Sequence, residues 1–247
     1  MSRRLRLCVF LVGGGAVAAL LAIAFLAMPP FGRSQHVYRD LAVPAAVRHA
    51  TANVVSSVNF DLRAIDTFGE ETILIAAVVG TTALLRPAKE ETRRRIPGAG
   101  RTLGSTRLVG YLLLPVTMVI GLDVVIHGHL TPGGGFQGGV VLATGLHLLY
   151  VAGSYPALDR ARPLEIVEIL DGIGAATFAS VGIAGIAFAG SFLTNIMSFG
   201  SFGQLFSAGT VPVLNVAVGV EVFAGVVAIL AKFLEQDITV VKQDGGE

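Results

Sequence analysis

Six apolar stretches, at residues 7–28, 70–85, 108–126, 134–151, 166–192 and 211–234, fix the solvent in which this chain folds. A membrane-spanning helix needs about 17 to 25 such residues. Hydrophobic residues make up 53% of the 247 and charged ones 14%, where a soluble domain carries about 25% charged. The stretch at 70–85 is short. It crosses a bilayer only if its helix starts earlier, near Asp61 to Asp66, which draws Asp66, Glu70 and Glu71 into or near the membrane. The expectation is an all-α, polytopic integral membrane protein with six transmembrane helices.

Basic residues set the orientation. With a cytoplasmic N-terminus, fourteen of the eighteen Lys and Arg fall on inside segments, and only Arg33, Arg39, Arg48 and Arg63 fall outside. This alternation follows the positive-inside rule and places both termini in the cytoplasm. The first stretch, preceded by Arg3, Arg4 and Arg6, reads as an uncleaved anchor. Ala22-Ile23-Ala24 also resembles a signal cleavage site, and cleavage would leave an odd number of spans.

The expected organisation has a two-span module at 1–86, a cytoplasmic linker at 87–106, a four-span domain at 107–242 and a polar tail at 243–247. The linker holds Arg93-Arg94-Arg95 and Pro97-Gly98-Ala99-Gly100, a composition suited to an exposed connection. Within the connector between the first two spans, Val47, Val54, Val58, Leu62 and Ile65 recur at near-helical spacing, which predicts an interfacial helix over 45–65.

Between the third and fourth stretches lies His127-Gly128-His129-Leu130-Thr131-Pro132-Gly133-Gly134-Gly135. Proline and clustered glycines cannot continue a regular helix. Irregular polar backbone at membrane depth must be shielded by protein or line a hydrated cavity. Asn195 and Asn215 are placed to satisfy freed backbone groups near the outer side.

Ionisable groups inside apolar spans are functional candidates by default. Glu221 sits near the middle of the last span with no acidic neighbour within it. Asp66 and Glu70, four apart, share a helical face with Arg63, and Glu71 points elsewhere as an interfacial residue. Asp123 and His127 are also four apart and can pair. His127, His129 and His147 are candidate proton-relay members, and a structural role for His129 is preferred to that of a metal ligand. Asp171, further along its span than Glu165, is the better entrance to a polar path.

Other chemistry is excluded. The net charge of +1 offers no basic footprint for nucleic acid. A single cysteine, Cys8, forbids an internal disulfide. The glycine run has no Lys-Ser/Thr and no preceding strand, so it is no phosphate loop, and no His-Glu-x-x-His occurs. No metal site is expected, since His127-x-His129 lacks further placed ligands. The chain is not expected to be an enzyme or to hold a cofactor.

The run Gly128-His129-Leu130-Thr131-Pro132-Gly133-Gly134-Gly135-Phe136-Gln137-Gly138-Gly139 closely resembles the signature of the B subunit of Mrp-type multisubunit sodium/proton antiporters. The segment Ser207-Ala208-Gly209-Thr210-Val211-Pro212-Val213-Leu214-Asn215-Val216-Ala217-Val218-Gly219-Val220-Glu221-Val222 resembles the same family. Ahead of it, Val58-Asn59-Phe60-Asp61-Leu62-Arg63-Ala64-Ile65-Asp66-Thr67-Phe68-Gly69-Glu70 resembles the E-like module of membrane-bound hydrogenases.

The resemblance implies a heteromeric complex of the bacterial inner membrane that exchanges Na+ for H+. It implies partners that include the large A subunit, expected to end before its own E-like tail, and the C subunit. It also implies that Glu70 matches the module's membrane glutamate, although Glu71 departs from the usual apolar neighbour and leaves open which of the two faces the path. Pro132, Gly133, Gly134 and Gly135 are expected to form a structural loop packed against neighbouring subunits. Two other roles fit the residues: a non-conducting structural subunit, and a subunit of a redox-driven proton pump.

Overall fold

The computed structural model of the chain describes residues 3–28, 32, 36–86, 103–152 and 155–236. Among these residues the secondary structure is helical, with no strand. The linker expected at 87–106 lies outside the described residues up to 102, and the tail at 243–247 lies outside them entirely. The chain divides into two compact units, residues 1–41 and 42–247.

The first unit holds α1, Arg3–Leu26, an apolar helix of 24 residues long enough to cross a membrane. None of its residues is buried, which suits a helix whose solvent is lipid. A second helix, α2, Val37–Arg48, begins in this unit and ends in the other.

The second unit is built from α3, Val54–Ser57; α4, Ala64–Leu84; α5, Gly104–Ile126; α6, Gly135–Val151; α7, Tyr155–Ala161; α8, Leu164–Ala189; and α9, Val211–Gln236. Helices α4, α5, α8 and α9 are long and apolar enough to span, and α6 is a shorter apolar helix of 17 residues. With α1 these make the six expected segments. The second span begins at Ala64, early enough for its 21 residues to reach across about 30 Å.

Helix α9 is the axis of this unit. Of its membrane-crossing stretch 61% is buried, against 22% or less for α4, α5 and α8. It packs against α4, α5, α6 and α8. Small residues permit this closeness, as expected where helices associate in lipid. A Cβ on Gly135 of α6 would stand 2.5 Å from the carbonyl oxygen of Asn215. The front-half helix α4 therefore docks on a rear-half helix, through Leu74, Val78 and Gly225.

The single interfacial helix expected over 45–65 does not form. α2 stops at Arg48, and Ala50 takes a left-handed φ of 54°. Asn53 then caps α3, accepting from the N–H groups of Val55 and Ser56. A π-helical turn follows at Val58–Leu62, and Arg63 leaves helical geometry. The Asn53 side chain offers the backbone an alternative to a continuous helix. The apolar repeat marks no buried face, since Val47 and Ile65 stay exposed.

Candidate ion-handling site

The glycine-rich loop joins α5 to α6 and is bound from within the chain. Gly133 and Gly134 take φ of 135° and 142°, which side-chain-bearing residues rarely adopt. The Asn53 amide donates to the carbonyls of Gly128 and Thr131, each at 2.8 Å. The N–H of Gly135, at the start of α6, donates to Asn215 Oδ1 at 3.0 Å. Asn215 is fully buried and its Nδ2 donates to Ser56 Oγ and the Val211 carbonyl. Within the chain, Gly133, Gly134 and Gly135 have close neighbours on α5 and α9, while Pro132 is exposed. Asn195 performs the other expected repair, donating to the Ala208 carbonyl and accepting from the Thr210 N–H.

His129 lies in this loop with no exposed surface, beside the backbone of Gln204 and Leu205. Burial pushes its imidazole below the usual value, so it is held neutral. Asp123 and His127 do come together, at 2.9 Å, but both keep substantial exposure at the outer end of α5.

The deepest acidic groups lie elsewhere. Glu221 of α9 has no exposed surface and Glu71 of α4 is 2% exposed. Their carboxyls meet across the α4–α9 interface, with Asp171 of α8 near both. Apart from each other, these four carboxyl oxygens have no hydrogen-bond partner among the described residues. Gly174 of α8 closes the third side, where a Cβ would stand 2.7 Å from Glu221 Cβ. Burying two acidic side chains together with no other hydrogen-bond partner among the described residues is costly, and ionisable groups placed so within spans mark a candidate functional site.

This corrects the placement of Glu71 as interfacial. The face of α4 turned inward carries Ala64, Thr67, Glu71 and Val78. Glu70 and Asp66 are exposed, and Asp66 pairs with Arg63 at the outer end of the helix. A spacing of three and four residues between small, polar and apolar positions was the signal for the buried face. The charges at 63, 66 and 70 instead mark an adjacent exposed face, about 100° round the helix.

On the cytoplasmic side of the pair, as the basic residues orient it, α4, α8 and α9 leave a cavity of about 560 Å³. Thr82, Arg86, Glu168, Asp171 and Lys232 line it. Asp171 stands at its deep end, three residues before Gly174 and so about 4.5 Å from the level of Glu221 by helical rise. Its Oδ1 is buried.

On the outer side, Phe60, Phe68, Phe178 and Phe192 gather into one cluster. Ring centroids are 5.3 Å apart for Phe68 and Phe192, 5.9 Å for Phe68 and Phe178, and 6.4 Å for Phe60 and Phe178. Beyond Phe192 a second pocket, about 420 Å³, is lined by His49, Asp61, Arg63, Thr194 and Asn195. His49 Nδ1 contacts Asp61 Oδ2, and the imidazole stacks on Phe199 with centroids 4.3 Å apart. Composition and spacing did not single out this pair, because its partners come from the end of α2, the π turn and the loop after α8.

Among the described residues no three His, Cys, Asp or Glu converge to hold a metal ion.

Residues 105–228 match the family model described as a domain related to the MnhB subunit of the Na+/H+ antiporter, and residues 2–96 match the MbhE model, which describes a component of MBH. An uncharacterized protein of Methanocaldococcus jannaschii is 30% identical over 194 residues, covering 70% of this chain and 73% of its own. A chain of the membrane-bound sulfane sulfur reductase, an archaeal respiratory membrane complex, superposes with TM-score 0.66 at 29% identity, covering 93% of this chain and 98% of its own. A chain of the Mrp complex from Dietzia sp. DQ12-45-1b shares the fold, with TM-score 0.66 at 24% identity. The present chain is matched over its whole length and spans 27% of that one.

Proposed function

The chain belongs to the family of domains related to the MnhB subunit of the Na+/H+ antiporter, and on that premise we propose that it works as a membrane subunit of a multisubunit monovalent cation/proton antiporter. The observation that carries this reading is the buried Glu71–Glu221 pair, which has no partner beyond itself among the described residues and has beside it Asp171, which lines a charged cavity. Asp171 passes protons or cations between that cavity and the pair. Glu70 and Asp66, about 100° round α4 from the buried face, face neighbouring subunits, as does the exposed Asp123–His127 pair at the end of α5. The large A subunit and the C subunit are the partners this reading names, and the bacterial inner membrane is its setting.

In proteoliposomes containing the assembled complex, Glu71→Gln and Glu221→Gln should each lower Na+/H+ exchange at least tenfold. Assembly should persist, because Gln keeps the volume. Normal exchange in both variants removes the pair from the path. Loss of assembly in both, with normal turnover in whatever complex remains, would instead make the chain a brace between subunits.

A second reading is favoured by the likeness to the sulfane sulfur reductase chain, which spans nearly all of that chain's length. Here the same route would serve a redox-driven pump. Copurification with iron–sulfur or nickel subunits would select it. Their absence from an active complex would reject it.

A further inference from the structure

The buried pair lies between two unlike ends. Toward the cytoplasm, the cavity reaches Asp171, which interacts with both Glu71 and Glu221. Toward the outside, the next polar side chain on the buried face of α4 is Thr67, and its hydroxyl is committed to the Asn59 carbonyl at 2.7 Å. Phe68 stands one turn before Glu71 on α4, Phe178 one turn beyond Gly174 on α8, and Phe192 follows α8. These three rings touch in sequence, with Phe60 behind them and Val218 and Val222 of α9 completing the wall. Phe192 also lines the outer pocket that holds His49 and Asp61, so this ring is common to the pocket and to the plug.

The backbone around that outer pocket is unusual. Three non-glycine residues take left-handed φ: Ala50, next to His49; Leu193, next to Phe192; and Ala208, whose N–H donates to the Phe199 carbonyl. Asp61 is presented by a π turn. Left-handed backbone at ordinary residues is strained and gathers at binding sites and switch regions. π-helical turns gather at functional sites too. Here Leu193 adjoins Phe192, while Ala50, Ala208 and the π turn shape the pocket beyond that ring.

We infer that Phe68, Phe178 and Phe192 are the outer gate of a transmembrane proton route contained in this chain, with the His49–Asp61 pocket as its outer mouth and the Asp171 cavity as its inner mouth. The inference rests on the role proposed for Glu71 and Glu221. The arrangement seen is closed on the outer side: Asp171 stands between the buried pair and the cytoplasmic cavity, and the aromatic rings pack above the pair. Outward access needs Phe192 to swing from Phe68, and the strained Leu193 beside it is the hinge for that swing.

Passive proton permeability of proteoliposomes holding the assembled complex, measured without Na+, tests the gate. Phe192→Ala and Phe68→Ala should each raise the leak several-fold. Adding Glu71→Gln should suppress the leak, and Phe192→Leu, which fills the space, should keep it low. An unchanged leak in assembled alanine variants, or a leak indifferent to Glu71→Gln, overturns the gate. In a Cys8→Ser background, Thr194→Cys should react with a membrane-impermeant thiol reagent only from outside, and Thr82→Cys only from the cytoplasmic side. Labelling of both from one side, or of neither, also overturns it. Failure of the gate with exchange still abolished by Glu71→Gln leaves the function standing. Full exchange in Glu71→Gln and Glu221→Gln removes the function itself.

Discussion

At the scale of single residues, the account turns on which carboxylates are dry. Glu71 and Glu221 are buried against each other, while Glu70 and Asp66 face outward. Buried ionic groups are poor sources of stability, and apolar replacement of matched volume is often neutral or stabilising by about 1–4 kcal/mol. The double variant Glu71→Leu/Glu221→Leu should therefore melt no lower than the parent complex in detergent while exchanging no cations. A lower melting temperature would mean that the pair is structural. His129 behaves differently. Its folded-state value lies below the ordinary 6.5 because burial disfavours the imidazolium. Its contribution is thus fully present above about pH 6.5 and is lost as pH falls toward the folded-state value. Thermal melts from about pH 8 to about pH 5 should show a decline in stability that starts near pH 6.5 and that His129→Gln flattens. An identical decline in that variant would assign the effect to other groups.

At the scale of elements, asparagines and close-packed glycine fix the broken helix. Asn53 caps α3 and holds two carbonyls of the glycine loop; Asn215 holds the first N–H of α6. Replacing Asn53 by alanine should cost about 1–2 kcal/mol from the cap alone. A larger loss in denaturant titration would register the freed loop carbonyls. Gly135→Ala forces a methyl toward the Asn215 carbonyl, an overpacking expected to cost about 1–3 kcal/mol. Unaltered melting of that variant would contradict the tight α6–α9 approach.

Much at this scale was legible in the chain. Apolar runs located the spans, and the shortness of the run at 70–85 forced the start of α4 back to Ala64. Proline and glycine located the break. The facing of α4 was not legible from its charges, because Arg63, Asp66 and Glu70 make a conspicuous stripe that turns out to be the exposed one. Nor was the 45–65 connector, since one capping asparagine and one left-handed alanine overrode its apolar period. The meeting of Glu71 with Glu221 joins residues 150 apart, and no local pattern encodes such a contact.

At the scale of the whole molecule, the second unit is a set of helices around α9 that isolates two acids in its middle. Asp171 stands between them and a charged cavity on one side, and aromatic rings pack on the other. The task proposed for this interior, in a chain of this family, is to hold a proton where a monovalent cation can replace it. The most direct test is infrared difference spectroscopy of the assembled complex during exchange between Na+-free and Na+-containing buffer. The account predicts a protonated-carboxyl band that Na+ removes and that is absent from both Glu71→Gln and Glu221→Gln. A complex with no Na+-sensitive carboxyl band, or one whose band survives in the double variant, would contradict it.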